Sequence, residues 1–237
     1  MTHTGIQAED LFKLKSVSDP QLSPDGNKVI FVQTSIEEET ESYVSHLFMY
    51  NIENTSLEQW TFGNHRDSSP RWSPDGSHIA FLSNRSGKSQ IHLLNPLGGE
   101  SRKLTDLEHG STMPIWSPCS QKILISSALK EGKFSEKDTN SRKNQSRREP
   151  SKYEHISYKS DSSGYSNCLY HQIAIVDVGT SRIEFLTGDK QDFHPASWSP
   201  DGTSIAYTSS NPEEADYYFF QDVFITGADL QPCGFGI

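Results

Sequence analysis

Several features that would assign a protein to a particular class are scarce in this sequence of 237 residues. No run approaches the roughly 18 apolar residues that a membrane-spanning helix needs. The first ten residues contain no basic region followed by an apolar stretch, so no secretory signal is visible and we expect a cytoplasmic location. Three cysteines (Cys119, Cys168 and Cys233) lie far apart, form no Cys-x-x-Cys pair and predict no disulfide framework.

Basic residues are also fewer than acidic ones. Lys and Arg number 21 against 31 Asp and Glu, which gives a formal net charge of −10. Binding to nucleic acid or to an anionic membrane requires a basic surface, so we expect neither of them as a partner. The length allows one large domain or two small ones.

A tight-turn motif occurs four times. Each copy follows an apolar residue and precedes a short apolar run, as expected where two strands are joined by a turn. Proline fixes φ at the first central position, and glycine accepts the positive φ with which the chain enters the next strand. In the third copy Cys119-Ser120 replaces Asp-Gly, so we expect that turn to be strained or differently shaped. The copies are Ser23-Pro-Asp-Gly26, Ser73-Pro-Asp-Gly76, Ser117-Pro-Cys-Ser120 and Ser199-Pro-Asp-Gly202.

The spacing between repeated elements defines a unit of four short strands, A to D. Three strands that close on Asn51, Asn95 and Asp177 are each followed 10 residues later by a threonine, at 61, 105 and 187. Each threonine precedes the next turn serine by 12 residues. The units differ in length in the connection between strands B and C, here called the B–C connection. Such repeats predict an all-β fold, a partial β-propeller of about four four-stranded blades with Ser-Pro-Asp-Gly turns. The alternative is a β-sandwich with recurring turns.

The pattern divides the chain into an N-terminal lead-in (1–18), an incomplete propeller (19–230) and an aberrant C-terminal tail (231–237). An insertion at 131–161 holds only four residues of the AVILMFWYC set, with eight Lys or Arg and six Asp or Glu. Such a composition predicts a solvated, flexible loop. The alternative is a basic flap that contacts an acidic partner or another domain.

The repeat fails near the C-terminus. The fourth unit reaches Thr226, and the 10-residue spacing predicts a closing threonine at 236, where the sequence has Gly236. We interpret this as truncation, or as a reading-frame change after about Leu230. A propeller cut at this point would leave blade faces open, so we expect self-association through those faces.

Motifs for catalysis or cofactor binding are missing. The nearest string to a nucleophile elbow is Gly164-Tyr-Ser-Asn-Cys168, which lacks the second glycine, and no zinc helix, Walker A loop or Gly-x-Gly-x-x-Gly occurs. Ser127-Ala-Leu-Lys130 fits Ser-x-x-Lys, but this four-residue pattern is too loose to indicate a catalytic pair. We therefore predict no catalytic, cofactor-binding or metal-ligating residues, and no cofactor.

The segment from Ala8 to Gly26, joined to the repeat, resembles the start of a prolyl oligopeptidase-family (S9) serine peptidase of the acylaminoacyl-peptidase-like branch. The resemblance extends from about residue 8 to about residue 230. It implies a non-catalytic N-terminal propeller, which in the intact parent gates the access of short peptides to an α/β-hydrolase active site that is absent here. The parent would act on short or N-acylated peptides, which would be its partners.

Two other functions compete with this one. The first is a free-standing propeller that serves as a binding scaffold, and the second is a small propeller enzyme with metal or acid–base groups on its axis. Within the resemblance, Glu213 and Glu214 lie in a carboxylate cluster that either forms a charged loop or holds the free amino terminus of a peptide. The match is too loose to give these two residues that role.

Overall fold

The computed structural model describes residues 5, 7–130, 159–160, 164–165, 169–210 and 221–228. Within these ranges the chain forms β-strands and one short 3-10 helix, η1 (Ala8–Lys13). No helix in the described part of the chain has the length and apolar character required to cross a membrane. The chain divides into two compact units, residues 1–105 with 112–116, and residues 106–111 with 117–237.

Two antiparallel four-stranded sheets make up most of the first unit, and their strands follow one another in chain order. The first sheet, here the first blade, contains β1 (Ser16–Leu22), β2 (Lys28–Glu37), β3 (Ser42–Asn51) and β4 (Leu57–Gln59). The second contains β5 (Asp67–Trp72), β6 (Ile79–Ser83), β7 (Gln90–Leu94) and β8 (Arg102–Lys103). These quartets correspond to strands A to D of the repeat, as predicted.

The remaining strands repeat the pattern. They are β9 (Ile115–Trp116), β10 (Lys122–Lys130), β11 (Lys159–Ser160), β12 (Gly164–Tyr165), β13 (Leu169–Asp177), β14 (Ile183–Phe185), β15 (Phe193–Trp198), β16 (Ser204–Ser209) and β17 (Asp222–Gly227). The third sheet has the order β14-β13-β10-β9, and the fourth has the order β15-β16-β17. The strands β11 and β12 form a two-stranded hairpin in the long B–C connection of the third repeat. The all-β, partial-propeller prediction is confirmed.

Each A–B turn is closed by its serine. In the first turn the Ser23 hydroxyl accepts a hydrogen bond from Lys28 N at 2.9 Å and donates to Asp25 at 2.5 Å. Hydrogen bonds from Ser199 and Thr203 lower the pKa of the matching Asp201 to about 2, which shows how fully this carboxylate is used as an acceptor.

The third turn keeps this shape without glycine. Ser120 adopts a φ of 61°, against 75° for Gly26, and donates its N–H to Ser117 O as the glycines do to their own turn serines. Of the two expectations, the strained turn is therefore the correct one, because a side chain disfavours this conformation. The sequence predicts no disulfide framework; Cys119 is nevertheless disulfide-bonded, and both other cysteines lie outside the described residues.

The repeated threonine ends each of the first three units. The hydroxyls of Thr61, Thr105 and Thr187 accept hydrogen bonds of 2.9–3.0 Å from backbone N–H groups of strand C, 14 residues earlier in every case. A threonine at this position thus satisfies a buried donor that the short strand D does not reach. This explains why the 10-residue spacing in the sequence is constant.

Apolar packing joins the first two blades. The face of the first blade that contacts the second, here called its forward face, is formed by Ile30, Val32, Leu47 and Met49. The facing side of the second blade, here called its back face, includes Ile79, Phe81 and Leu94, and Trp72 packs against the same cluster. Full burial of such side chains contributes roughly 1.5–3 kcal/mol each.

The innermost strands also contact one another within the first unit. The Trp72 indole donates to Gln21 O at 3.3 Å, and Trp116 donates in the same way to Arg71 O at 2.9 Å. Arg71 forms a two-oxygen ion pair with Asp19 at 2.8–2.9 Å. Within the first unit, β5 is thus fastened to β1, and β9 is fastened to β5.

Gly26 and Gly227 provide a matched test of the turn. An added Cβ meets nothing within 4 Å at either position, but only Gly26 has a positive φ, of 75°. Gly26→Ala is expected to lower the free energy of unfolding by about 1 kcal/mol, because alanine disfavours the left-handed region. Gly227→Ala is expected to leave it unchanged or slightly higher. Urea denaturation of both variants measures the difference, and equal losses would contradict this account of the turn.

Candidate functional site

A buried ion pair lies at one end of the second blade. Asp67 has no exposed surface, and its carboxylate oxygens lie 3.2 and 3.3 Å from a guanidinium nitrogen of Arg85. Arg85 also donates to Ser83 and Ser101, each at 2.8 Å. The charge on Asp67 is therefore compensated inside the protein, where an unpaired carboxylate would be strongly destabilising.

Three histidine rings surround this pair. His65 Nε2 lies 3.3 Å from Asp67 Oδ2 without hydrogen-bond geometry, and the His46 and His65 rings meet edge to face at 6.0 Å. His92 is 3% exposed, and both of its ring nitrogens lack a hydrogen-bond partner among the described residues. The orphaned nitrogens make this the least satisfied polar region among the described residues.

Burial governs the titration of two of these rings. Burial, together with the positive charge of Arg85, lowers the pKa of His92 to about 4. Burial also lowers the pKa of His46, against the opposing effect of the Asp67 carboxylate. Both rings are therefore neutral at pH 7.

The cluster lies where two kinds of connection meet. Asp67 begins strand A and pairs with Ser83, the last residue of strand B, which in turn pairs with Gln90 at the start of strand C. This is the end of the blade that carries the D–A and B–C connections, and the B–C connections are the ones that vary in length between repeats. We call this end of each blade the variable rim.

In the second unit, side chains from strand C hold the variable rim. The Gln172 amide donates to the carbonyls of Asp189 and Gln191 at 2.8 and 3.0 Å. The Asp192 carboxylate accepts a hydrogen bond of 2.7 Å from the backbone N–H of His171, and the Asp192 backbone carbonyl accepts one from the Ser209 hydroxyl. In the second unit the D–A connection is therefore fixed by hydrogen bonds, whereas in the first unit an ion pair has this role.

The Ser-x-x-Lys string does not form a catalytic pair. Ser127 and Lys130 lie three residues apart in β10, so their side chains point to opposite faces of the sheet. The Ser127 hydroxyl is buried and donates to Gly110 O at 2.6 Å. Its role is structural, and it joins strand B of the third repeat to the preceding connection.

Other sequence candidates lie outside the described residues. They are Ser166 and Cys168 of the elbow-like string, the carboxylates Glu213 and Glu214, the insertion 131–161 apart from β11, and the tail 231–237. In the part of the chain that is described, no group of three His, Cys, Asp or Glu side chains is placed to hold a metal ion.

Two shallow grooves lie at the opposite ends of the blades. One, of about 460 Å³, is lined by Lys28, Trp60 and Leu97 among others. The second, in the other unit, has a volume of about 340 Å³ and includes Lys122 and Asp177. A lysine lines each groove, and neither contains a serine or cysteine among its lining residues.

Only weak signals of the buried cluster are present in the sequence. Asp67 is the first residue of strand A and Arg85 lies in the B–C connection, and the residues at the position of Asp67 in the next two units are Ser111 and Phe193. A charged residue within a connection normally indicates a solvated surface. Only the three-dimensional meeting of the D–A and B–C connections brings the two charges together.

Comparison with known proteins shows which of them share this architecture. Residues 8–158 match the family described as the TolB beta propeller domain, PD40. The chain is 35% identical over 221 residues to YuxL, an uncharacterized peptidase of Bacillus subtilis, and this region is 93% of the chain but 33% of the peptidase. The chain thus spans about a third of the length of that relative.

Two solved structures are similar in fold. The acylaminoacyl peptidase of Pyrococcus horikoshii aligns with a TM-score of 0.71 at 19% identity, over 91% of this chain and 32% of that one. The beta-propeller domain of the Trilobed protease from Pyrococcus furiosus aligns with a TM-score of 0.59 at 21% identity, over 90% and 55% of the two chains. The fold is that of a propeller domain found in peptidases.

His92 makes the stability of the first unit depend on pH. Its pKa of about 4 in the folded state lies below the ordinary value of 6.5, so the unfolded chain takes up a proton first as the pH falls. The stability that the neutral ring provides is present above pH 6.5 and is lost between there and about pH 4. We expect a loss on the order of 1–3 kcal/mol from this group.

The variant His92→Leu removes this proton uptake and also the two orphaned nitrogens. It is expected to flatten the decline of unfolding free energy between pH 6.5 and 4, measured by urea denaturation across that range. His194→Leu, at an exposed histidine, is the control and should keep the wild-type profile. An unchanged decline in His92→Leu would refute the assignment.

Proposed function

The chain belongs to the TolB beta propeller (PD40) family, and on that premise we propose that it is the non-catalytic propeller portion of an S9-type serine peptidase. In this proposal the propeller restricts access to a separate hydrolase active site, which acts on short or N-acylated peptides. The substrates and the hydrolase belong to the complete peptidase. A cytoplasmic location remains a prediction.

One observation carries the proposal. Nearly the whole chain, 93% of it, aligns with only 33% of a peptidase, and the aligned part consists of the strand quartets of a propeller. The shared region is thus the scaffold, and it contains no Gly-x-Ser-x-Gly nucleophile elbow. The described serine that had matched a catalytic pattern, Ser127, has its hydroxyl engaged by a backbone carbonyl.

The variable rim suits a steric role. Its D–A connections are held by the buried Asp67–Arg85 pair in one unit and by the Gln172 amide in the other. Its B–C connections differ greatly in length between repeats, from the four residues between β2 and β3 to the long insertion after β10. A rigid base with connections of variable length can exclude large polypeptides while the blades remain unchanged.

The proposal predicts no hydrolysis by this chain alone. Incubation with an N-acylaminoacyl reporter should give no turnover, and a fluorophosphonate probe should label no serine. The intact Bacillus peptidase, treated in parallel, serves as the positive control for the probe. Labelling of any serine, Ser127 and Ser166 included, would contradict the non-catalytic part of the proposal.

The gating part is tested with a chimera. The 221-residue region of the Bacillus peptidase that matches this chain is replaced by the corresponding residues of the chain. We expect the chimera to cleave a short N-acylated reporter and to discriminate against denatured casein by about tenfold or more, equivalent to about 1.4 kcal/mol.

The same peptidase without its propeller region provides the comparison, and circular dichroism checks that both proteins are folded. Loss of discrimination in the deleted form is expected. A folded chimera that cleaves casein and the reporter equally well would refute gating, whereas the labelling experiment would stand independently.

A further inference from the structure

One arginine of the variable rim is held firmly by the connections on both sides of it. The Asn84 side-chain oxygen, in the B–C connection of the second blade, accepts the backbone N–H of Arg66 at 2.7 Å, and the Asn84 N–H donates to the Arg66 carbonyl at 3.2 Å. On the other side, Arg66 forms a parallel bridge with Ser45 of β3. The backbone at Arg66 is thus fixed to the first and second blades at once.

The side chain of Arg66 is also ordered, although it is exposed. Its Nε donates to the Tyr43 backbone carbonyl at 2.9 Å, and its guanidinium carbon lies 5.8 Å from the centre of the Tyr43 ring. The contact with the ring is a cation–π interaction, which orients the guanidinium plane. The two terminal nitrogens, Nη1 and Nη2, have no hydrogen-bond partner among the described residues.

Within the described ranges, no carboxylate forms an ion pair with Arg66, although acidic residues outnumber basic ones by 31 to 21 in the sequence. Arg71, Arg85 and Arg182 lie 2.8, 3.2 and 3.9 Å from carboxylates of the chain. The neighbouring Asp67 is fully buried and already paired with Arg85. The charge of Arg66 is therefore available to a ligand.

A carboxylate is the group that fits such an arginine. The two terminal N–H groups of a planar guanidinium can donate two parallel hydrogen bonds to the two oxygens of a carboxylate, and the opposite charges strengthen both bonds. Because the Nε bond and the ring contact already restrict the Arg66 side chain, less conformational freedom is lost when a ligand binds.

The aromatic residues of this part of the rim favour a peptide over a small inorganic anion. Tyr43 is 54% exposed, and Phe62, in the same D–A connection as Arg66, is 67% exposed. Exposed aromatic rings offer apolar contact area to the side chains of a peptide, which an inorganic anion cannot use. In a peptide the carboxylate lies either at the C-terminus or on an acidic side chain.

We propose that Arg66 is a specificity-determining residue of the variable rim, where it binds the carboxylate of a short peptide. The inference rests on the proposed function and narrows its substrates to peptides that carry a carboxylate. Tyr43 is a positioning residue in this proposal, because it acts through the guanidinium that it orients.

Binding is measured on the chain itself by NMR titration, which detects millimolar affinities and observes the Arg66 Nε–H signal. The probe is an N-acetylated tetrapeptide containing phenylalanine, in three forms. The first has a free C-terminal carboxylate and no acidic side chain, the second has a C-terminal amide and one glutamate, and the third has the amide and no acidic residue. We expect the first or the second to bind about fivefold more tightly than the third, which also identifies the source of the carboxylate.

Variants connect this preference to the arginine. Arg66→Gln should abolish it, and Arg66→Lys should retain only part of it, because lysine keeps the charge but loses the planar fork and the Nε bond. Tyr43→Leu should weaken it while Arg66 remains. Arg182→Gln is the matched control, since this arginine has a 78% exposed side chain in a C–D turn, and it should keep the wild-type preference. Circular dichroism checks that each variant is folded.

Two results would overturn the inference. One is equal affinity of the wild type for all three peptides, and the other is an equal loss of preference in Arg66→Gln and Arg182→Gln, which would indicate a general effect of charge.

The chimera with the Bacillus peptidase separates this inference from the proposed function. There Arg66→Gln should lower the ratio of kcat/KM for carboxylate-bearing over amidated N-acylated peptides by about fivefold, mainly through KM. A chimera that excludes casein but shows an unchanged ratio would refute the role of Arg66 alone. A chimera that does not exclude casein would refute gating, while the titration of the chain would still test carboxylate binding.

Discussion

The stacking of one four-stranded sheet on the next is the interaction on which the rest of the structure depends. Each blade has two apolar faces, and a twisted sheet cannot bury both within itself. In the first unit Ile30, Leu47 and Phe81 meet between two blades and are fully buried. The hydrogen bonds of the turns and of the closing threonines position the strands. The spacing of these residues in the sequence is constant because it must place the apolar side chains at the interface in register.

The sequence predicts those parts of the fold that each blade repeats. Serine, proline and glycine at the A–B turns, and threonine after strand D, each satisfy a local requirement that recurs with the same spacing, so one chain is enough to reveal them. Ser120 shows the limit of this reasoning, because the sequence indicated an irregular turn but did not distinguish strain from a different shape. The Cys119 disulfide was not foreseen, because an odd number of widely spaced cysteines offers no pairing pattern.

The buried cluster could not be predicted, and the reason is physical. Asp67, at the start of β5, and Arg85, in the B–C connection, are 18 residues apart in the chain and meet only when the second blade has formed. His92 sits in a strand where alternation predicts an inward side chain, but the absence of hydrogen-bond partners for its ring is a property of the packing around it. Sites that occur once, in connections that do not repeat, leave no periodic trace in a sequence.

The outermost strands of the first three blades are short, with three residues in β4, two in β8 and three in β14. A strand of this length presents few free backbone groups to a neighbouring molecule, so side-by-side extension of the sheet offers little binding energy. The threonine hydroxyls that follow these strands take over the next backbone donors and leave fewer of them to recruit a foreign strand. The outer edges of these three blades are thereby protected from amyloid-like pairing, while cohesion between blades comes from their broad apolar faces.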